Sequence, residues 1–268
     1  MQRLAFVVLC VVASSSQAAV QSKVVEYKEG DTVCEGYIAW DDATDVKRPG
    51  VIVVHEWMGH NPYVRMRADR LAQLGYVGFA VDIYGKGVRA STAEEAGKLS
   101  GKYKEDRALL RARAKAALDF LREQPQVDGD RIAAIGYCFG GTTVLEMARG
   151  GMDLKGVASF HGDLGTPHPE DARNIKCKIL VLHGADDPFV PGKTVHDFED
   201  EMRAAKVDWQ LIAYGNTVHS FTYPEAGQYK VAGAAYNAES DRRSWQAMQD
   251  FFNEIFKRPT PAALRVPN

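Results

Sequence analysis

The sequence predicts an α/β fold with a mostly parallel, twisted sheet and helices on both faces. The first observation is alternation: from residue 51 onward, short apolar runs rich in β-branched residues alternate with amphipathic helical segments. The second is the uninterrupted apolar run at residues 51–54, which is typical of a central strand buried on both faces. The third is composition, because 268 residues with 46% hydrophobic and 25% charged residues suffice for one large core. A second domain is not predicted.

The elements follow in order along the chain. Residues 24–27 and 32–40 flank the turn-like tetrad Lys-Glu-Gly-Asp, which predicts an N-terminal antiparallel hairpin. After a polar loop, strands are predicted at residues 51–55, 76–83, 132–135, 156–160, 179–183 and 209–214. The spacing of apolar residues predicts helices at residues 63–74, 92–99, 104–123, directly after Cys138, 193–205 and 236–256, and a frayed tail at residues 259–268.

Residues 1–18 have the three regions of a secretory signal peptide: a positively charged start, a short apolar run and a small-residue cleavage site. Ser16 and Ala18 occupy the two small-residue positions before the expected cleavage. The apolar run is too short to span a bilayer as an anchor. We therefore expect a mature chain, residues 19–268, that forms a single α/β domain and acts in the periplasm or outside the cell.

Composition argues against several classes of function. The formal net charge is −2 and the basic residues are scattered, with no basic patch interleaved with aromatic residues, so nucleic-acid binding is not predicted. No Cys-x-x-Cys pair occurs, which argues against a zinc or redox site, and no metal or cofactor is expected. The expected partner is a small-molecule substrate, with no membrane insertion and a monomer or small homo-oligomer as the assembly.

Export would leave three cysteines, Cys34, Cys138 and Cys177. An odd number in an oxidising compartment leaves at least one thiol free. Pairing of Cys34 with Cys177 stays open at this point, although both lie in strand-like runs where single buried cysteines are common.

Cys138 lies between a predicted buried strand and a predicted helix, within the pattern Gly136-x-Cys138-x-Gly140-Gly141. This is the nucleophile-elbow pattern G-x-S-x-G with cysteine in place of serine. Its glycines give room for a sharp strand-to-helix turn. A lone cysteine in an apolar setting is usually a small buried hydrophobe, but packing alone gives no reason for three flanking glycines. The helix N-terminus would also lower the pKa of the thiol and stabilise an oxyanion, so Cys138 is predicted to be a nucleophile.

Other candidate residues also follow predicted strands, where the active site of such a sheet lies: Glu56, Lys86, Asp187 and His219. A thiol nucleophile needs a base, and the base needs a partner that fixes its tautomer. The chain order nucleophile, acid, histidine is that of the α/β-hydrolases, and Cys138, Asp187 and His219 follow it.

Two choices within this set remain open from the residues alone. His219 is favoured as the base because it follows the final strand, and His161 is the alternative beside the elbow. His55 and His183 end strands, where structural hydrogen bonds are the more common role. For the acid, the adjacent Asp186 and Asp187 are not separated by this reasoning.

Five short motifs together carry a family resemblance. They are His55-Glu56-x-x-Gly59, Asp82-x-Tyr84-Gly85, Gly136-Tyr137-Cys138-x-Gly140-Gly141, Asp187-x-Phe189-Val190-Pro191 and His219-Ser220-Phe221. With them, the chain from residue 51 to its end resembles the dienelactone hydrolase (carboxymethylenebutenolidase) family of the α/β-hydrolase superfamily. The resemblance implies an α/β-hydrolase fold.

The resemblance also implies roles for individual residues. The triad of the family falls on Cys138, Asp187 and His219, which favours Asp187 over Asp186. Glu56 matches the carboxylate that pairs with the resting thiol and helps to form the thiolate once substrate binds. The implied activity is hydrolysis of a small lactone or ester through a thioester, with the oxyanion held by two backbone N–H groups, those of Trp57 and Phe139.

The sequence departs from the family at the substrate contacts. Lys86 and Tyr223 stand where the family prototype has two arginines for the substrate carboxylate, so specificity for anions is open. We expect Lys86 to be the main anion contact. Because the chain is expected to be exported, a broad-specificity carboxylesterase is an alternative function. An acyltransferase with the same triad and a non-catalytic binding protein on this fold are further alternatives.

Overall fold

The computed structural model describes residues 20–43 and 45–256. The predicted signal peptide, its cleavage site before Ala19 and the predicted frayed tail lie outside these residues. The strands are β1 (Val20–Glu29), β2 (Thr32–Asp41), β3 (Arg48–Val54), β4 (Val77–Val81), β5 (Val127–Tyr137), β6 (Gly156–Phe160), β7 (Lys178–Gly184) and β8 (Trp209–Tyr214). The α-helices are α1 (Pro62–Gln73), α2 (Ala93–Glu105), α3 (Arg107–Arg122), α4 (Phe139–Arg149), α5 (Gly192–Ala205) and α6 (Ala238–Ile255).

The eight described strands form one sheet in the order β1-β2-β4-β3-β5-β6-β7-β8. Strands β3 to β8 pair in parallel with their neighbours, while β2 pairs antiparallel with both β1 and β4. This confirms the predicted mostly parallel sheet and the N-terminal hairpin. Parallel pairing brings the carboxyl ends of β3 to β8 to one edge, where the candidate residues lie.

Alternate residues of the central strand β3 serve the two faces of the sheet. Val51 and Val53 pack in one apolar cluster with α1 and α6, whereas Ile52 and Val54 pack in a second cluster with α3, α4 and α5. The period of two along a strand explains this division, and helices on both faces are confirmed. Among the described helices, none is both long and apolar enough to cross a bilayer.

The boundary between α2 and α3 differs from the prediction. Helix α2 continues to Glu105, beyond the predicted end at residue 99, and α3 begins at Arg107 instead of residue 104. The cause is Asp106, which has non-helical backbone angles (φ −110°, ψ 83°) and accepts a hydrogen bond from the backbone N–H of Leu109 at 2.9 Å. The aspartate that caps α3 thus lies inside residues 104–123, which the apolar spacing predicted as one helix.

Candidate active site

Cys138 occupies the turn between β5 and α4, with backbone angles of φ 53° and ψ −113°. A positive φ is rare for a residue with a side chain and is held only where its surroundings fix it. A Cβ on Gly136 would lie 2.0 Å from the carbonyl oxygen of Gly140, and a Cβ on Gly140 would lie 2.3 Å from that of Val54. The glycines are therefore required by close backbone approach, as the elbow pattern predicts.

His161 supports this turn from behind. The backbone N–H of Cys138 donates to the carbonyl of Phe160 at 3.0 Å and to Nδ1 of His161 at 3.1 Å. Nε2 of His161 lies 2.8 Å from Oγ1 of Thr222. Burial lowers the pKa of His161 well below its usual value, so the ring is neutral. Since both ring nitrogens are engaged, the geometry favours His161 as a support of the turn over a role as the base.

His219 and Asp187 form the next link. Nδ1 of His219 lies 2.7 Å from Oδ2 of Asp187, and the other oxygen of Asp187 accepts the backbone N–H of Phe189 at 2.8 Å. Asp187 is buried, whereas Asp186 is exposed. The structure therefore brings Asp187, and not Asp186, to the histidine. The side chain of His219 is also hydrogen-bonded to that of Cys138. Cys138, His219 and Asp187 thus form one hydrogen-bonded chain, which we call the triad.

The charges of the triad stabilise one another. Burial alone would lower the pKa of His219, but the negative charge of the Cys138 thiolate and the hydrogen bonds with Asp187 and Cys138 raise it to about 10. Protonated His219 is therefore favoured at neutral pH when Cys138 is a thiolate. A thiolate beside an imidazolium is the reactive state of a cysteine nucleophile.

Glu56 follows β3 and is almost completely buried at the wall of the site. Its Oε1 has no hydrogen-bond partner within the described residues. Burial raises the pKa of Glu56 to about 7, against the opposing positive charges of His219 and Arg67. Near neutral pH this carboxyl group therefore exists in both protonation states, which suits a group that takes up and releases a proton.

Two backbone N–H groups adjoin this carboxyl and the nucleophile. Trp57 follows Glu56, and its carbonyl accepts the hydroxyl of Tyr84 at 2.9 Å. Phe139 is the first residue of α4. Within residues 20–43 and 45–256, neither of these N–H groups is used in a backbone hydrogen bond. Both are thus available to an oxyanion beside Cys138.

His55, one of the histidines set aside above, fixes this loop. Its Nδ1 lies 2.6 Å from the carbonyl oxygen of Glu56, and its Nε2 accepts the backbone N–H of Ile83 at 3.2 Å. These contacts require the proton on Nδ1. His55 therefore has a structural role, which holds the backbone that carries Glu56 and Trp57.

The triad opens into a cavity of about 210 Å³. Of the residues predicted from the sequence, the cavity brings together Glu56, Trp57, Cys138, His219 and Tyr223. The other lining residues are Lys104, Asp163, Phe189, Val190, Ser220, Ala226, Tyr229, Val231 and Ala234. Phe189, Val190 and Ser220 belong to the family motifs quoted above, whereas no pattern in the sequence predicted the others.

Lys86 is not among the residues that line the cavity. Its ammonium group pairs with the carboxylate of Glu26 on β1, and its side chain is half exposed. The geometry therefore does not support the expected contact between Lys86 and a substrate carboxylate. The lysine at the cavity is Lys104, whose ammonium lies 3.8 Å from a carboxylate oxygen of Asp163.

A mostly parallel sheet with a nucleophile elbow, followed along the chain by an acid and a histidine, defines an α/β-hydrolase. The chain belongs to the dienelactone hydrolase family, whose model matches residues 34–256. This membership makes it a hydrolase of the carboxylic-ester class.

The chain is similar to several known proteins. The protein usf of Aquifex pyrophilus is 33% identical over 207 residues, which cover 74% of this chain and 86% of the relative. A Synechocystis protein provisionally named carboxymethylenebutenolidase is 27% identical over 236 residues, covering 83% of this chain and 92% of the relative. The crystal structure of a dienelactone hydrolase-like promiscuous phosphotriesterase, P91 from metagenomic libraries, has a TM-score of 0.85 and 44% identity, with 88% of this chain and 99% of that chain covered.

Proposed function

We propose that this protein hydrolyses small esters or lactones through a covalent thioester on Cys138. The observation that carries the proposal is the hydrogen-bonded chain from Cys138 through His219 to Asp187, at the wall of a cavity. The contact of 2.7 Å between Nδ1 of His219 and Oδ2 of Asp187 supports His219 as the group that exchanges protons with the substrate, because it fixes the orientation of the imidazole. Membership of the dienelactone hydrolase family supports the class of bond that is broken.

The first half of the reaction forms the thioester. The Cys138 thiolate attacks the substrate carbonyl carbon, and the negative charge moves to the carbonyl oxygen, where the backbone N–H groups of Trp57 and Phe139 stabilise it. The C–O bond to the leaving alcohol then breaks, and protonated His219 supplies the proton that the alkoxide needs. For a lactone, the alcohol stays attached to the acyl group.

The second half of the reaction is hydrolysis of the thioester. His219, now neutral and oriented by Asp187, takes a proton from water as the water attacks the thioester carbonyl. The Cys138 thiolate leaves, and the carboxylic acid product is released. Glu56, whose pKa is raised to about 7, takes the thiol proton when the free enzyme forms the thiolate, while His219 keeps its own proton for the leaving alkoxide. Glu56 returns its proton to sulfur after the product has left.

Trapping of the thioester tests this proposal. Reaction with 4-nitrophenyl acetate, followed by acid quenching and peptide mass spectrometry, is expected to find an acetyl group on the peptide that contains Cys138. Cys138→Ala is expected to give no adduct and to lose at least ~10³-fold in kcat. Retention of more than about a tenth of the wild-type kcat in Cys138→Ala would overturn the proposal, since loss of a nucleophile costs far more.

The likeness to P91 favours phosphotriester hydrolysis as a second candidate function. The Cys138 thiolate would attack phosphorus and displace a phenolate, which leaves a phosphoryl group on sulfur. Water that loses a proton to His219 would then break the P–S bond and release the phosphodiester. Turnover of an uncharged aryl phosphotriester beyond one equivalent of phenol would support this activity. Release of one equivalent followed by loss of ester hydrolysis would show that the triester is only an inactivator.

We also propose that the mature protein acts outside the cytoplasm, on the basis of the signal-peptide pattern in residues 1–18. N-terminal sequencing of the protein from the periplasm or medium is expected to begin near Ala19. Recovery of the active protein in the cytoplasm with Met1 intact would contradict export.

A further inference from the structure

The cavity beside Cys138 is lined mainly by rings and aliphatic side chains. The rings are those of Trp57, Phe189, Tyr223 and Tyr229, and the aliphatic residues are Val190, Ala226, Val231 and Ala234. Aromatic groups pack favourably against such a wall in offset or edge-to-face arrangements.

The two tyrosines of this wall hold one another in place. Their rings are nearly parallel, with an angle of 18° and 6.1 Å between centroids. Their hydroxyls lie 3.4 Å apart, and that of Tyr223 also lies 3.2 Å from a carboxylate oxygen of Glu225. Because the two hydroxyls contact each other and Glu225, a ligand in the cavity would contact mainly the rings of Tyr223 and Tyr229.

Tyr229 is positioned by a segment attached to the base of the triad. The backbone N–H of His219 donates to the carbonyl of Gly233 at 3.1 Å, and the N–H of Ala235 donates to the carbonyl of His219 at 3.0 Å. The segment from Tyr223 to Gly233, which contains Tyr229, therefore has a fixed position relative to His219 and Cys138. A ligand ring against Tyr229 would be held at a defined distance from Cys138.

The charges at the cavity disfavour an anion. Among the lining residues, Lys104 is the one lysine or arginine, and it is paired with Asp163. Glu56 and the Cys138 thiolate add negative charge close to the reacting carbon, and protonated His219 is already paired with the thiolate. A substrate carboxylate would thus lie near like charges with no free cation among the described lining residues.

The size of the cavity limits the substrate. An apolar cavity of about 150 Å³ takes up benzene. The cavity here, at about 210 Å³, holds one such ring and the few atoms of an ester group. A long fatty acyl chain or a second ring would extend into solvent.

We propose that the site selects an uncharged ester or lactone that carries a single aromatic ring, and that Tyr229 is a residue that determines this specificity. This inference rests on the proposed function for the reaction. The preference among ligands depends only on the residues that line the cavity, so binding measurements test it without turnover.

Three probes of similar size test the proposal on the wild-type protein, which keeps the negative charge at Cys138, by ligand-observed NMR titration: benzamide, benzoate and cyclohexanecarboxamide. Benzamide is expected to bind on the order of tenfold more tightly than benzoate, because benzoate brings a negative charge to an acidic site. It is expected to bind about threefold more tightly than cyclohexanecarboxamide, which lacks the aromatic ring. Equal or tighter binding of benzoate, or of cyclohexanecarboxamide, would overturn the proposal.

A pair of variants tests the role of Tyr229. In the Cys138→Ala background, Tyr229→Leu is expected to abolish the preference for benzamide over cyclohexanecarboxamide, while the matched control Tyr229→Phe keeps it, since the ring remains. An unchanged preference in Tyr229→Leu would remove Tyr229 from this role. The comparison of the three probes uses protein with an unchanged cavity wall. It therefore still tests the substrate class if Tyr229→Leu does not fold.

The outcomes also separate this inference from the proposed function. Selective binding of benzamide, with no thioester found in the wild-type protein, would support the proposed substrate class and contradict the proposed mechanism. A thioester on Cys138 together with tighter binding of benzoate would support the mechanism and contradict the proposed substrate class.

Discussion

Cys138 and His219 illustrate how two neighbouring side chains determine one another's charge. The negative charge at Cys138 is the first of the causes that raise the pKa of His219, and the hydrogen bonds with Asp187 and Cys138 add to it. Burial opposes them by disfavouring a charged ring. The pair is therefore stable as two opposite charges, and removal of either charge changes the state of the other.

The first prediction concerns Cys138→Ser, in which the much less acidic hydroxyl remains neutral. Without the thiolate charge, the pKa of His219 is expected to fall from about 10 towards the ordinary value of a histidine, as measured by NMR titration of the imidazole. The kcat/KM for 4-nitrophenyl acetate is expected to fall at least ~10²-fold. An unchanged pKa for His219 would contradict the ion pair.

The second prediction concerns the buried carboxyl of Glu56. Because its pKa rises from 4.5 to about 7 on folding, the folded state binds the proton more tightly than the unfolded state. This stabilisation is fully present below about pH 4.5 and is lost as the pH rises through 7. Glu56→Gln, which stays neutral, is therefore expected to gain stability relative to the wild type by roughly 3 kcal/mol near pH 8.5 and by much less at pH 5.

Urea unfolding at the two pH values measures the effect of Glu56→Gln, and Glu239→Gln serves as the control. Glu239 forms an exposed i,i+4 ion pair with Arg243 on α6, so its substitution is expected to change the free energy of unfolding by less than about 1 kcal/mol at either pH. A gain from Glu56→Gln that is the same at pH 5 and pH 8.5 would show that the carboxyl does not titrate in this range.

At the scale of elements, β3, β5 and α4 pack closely because glycines at their contacts let the backbones approach one another. Gly140 lies against the carbonyl of Val54 at the end of β3, and Gly136 lies against Gly140. This packing places the N-terminus of α4 directly behind Cys138, where its N–H groups favour negative charge.

The third prediction follows from this packing. Gly140→Ala would place a Cβ 2.3 Å from the oxygen of Val54, so the turn must shift. A loss of at least ~2 kcal/mol in the free energy of unfolding is expected, together with loss of esterase activity. The control is Gly97→Ala in α2, where a Cβ meets nothing within 4 Å. This change is expected to add about 0.5–1 kcal/mol. Equal effects of the two changes in denaturant unfolding would refute the close-packed elbow.

At the scale of the whole molecule, the sheet keeps two of the cysteines apart. Cys34 lies on β2 and Cys177 directly precedes β7, so five strand spacings, about 24 Å, separate them. A disulfide requires Cα atoms less than about 7 Å apart. Cys34, Cys138 and Cys177 are accordingly all free, which answers the question of pairing that the sequence left open.

The fourth prediction concerns the reactivity of these thiols. Burial raises the pKa of Cys34 to about 11 and that of Cys177 to about 12, so both are expected to be inert to a thiol reagent in the native protein at pH 7. Titration with Ellman's reagent is expected to show one fast thiol in the native mature protein and three after unfolding in guanidinium. Cys138→Ala is expected to abolish the fast reaction alone. A fast reaction that persists in Cys138→Ala would assign it to a different cysteine.

The sequence by itself determined the features that depend on neighbours along the chain. The alternation of apolar runs predicted the mostly parallel sheet, and the glycines around Cys138 predicted the elbow. The positions after strands predicted that Glu56, Cys138 and His219 would meet at one edge. These signals are local, because strand period, helix spacing and glycine requirements are set within a few residues. The boundary at Asp106 was missed because a cap inside a long apolar pattern is a weaker signal than the pattern.

Only the tertiary structure decided which side chains meet at the cavity. It paired Lys86 with Glu26, a residue 60 positions away on the edge strand β1, and Lys86 is not among the residues that line the cavity. It brought Tyr229 to the wall by attaching its loop to the backbone of His219. The physical reason is that an ion pair or a cavity wall depends on distances between elements that are far apart in the chain. The spacing of apolar residues within one element carries no information about which distant element packs against it.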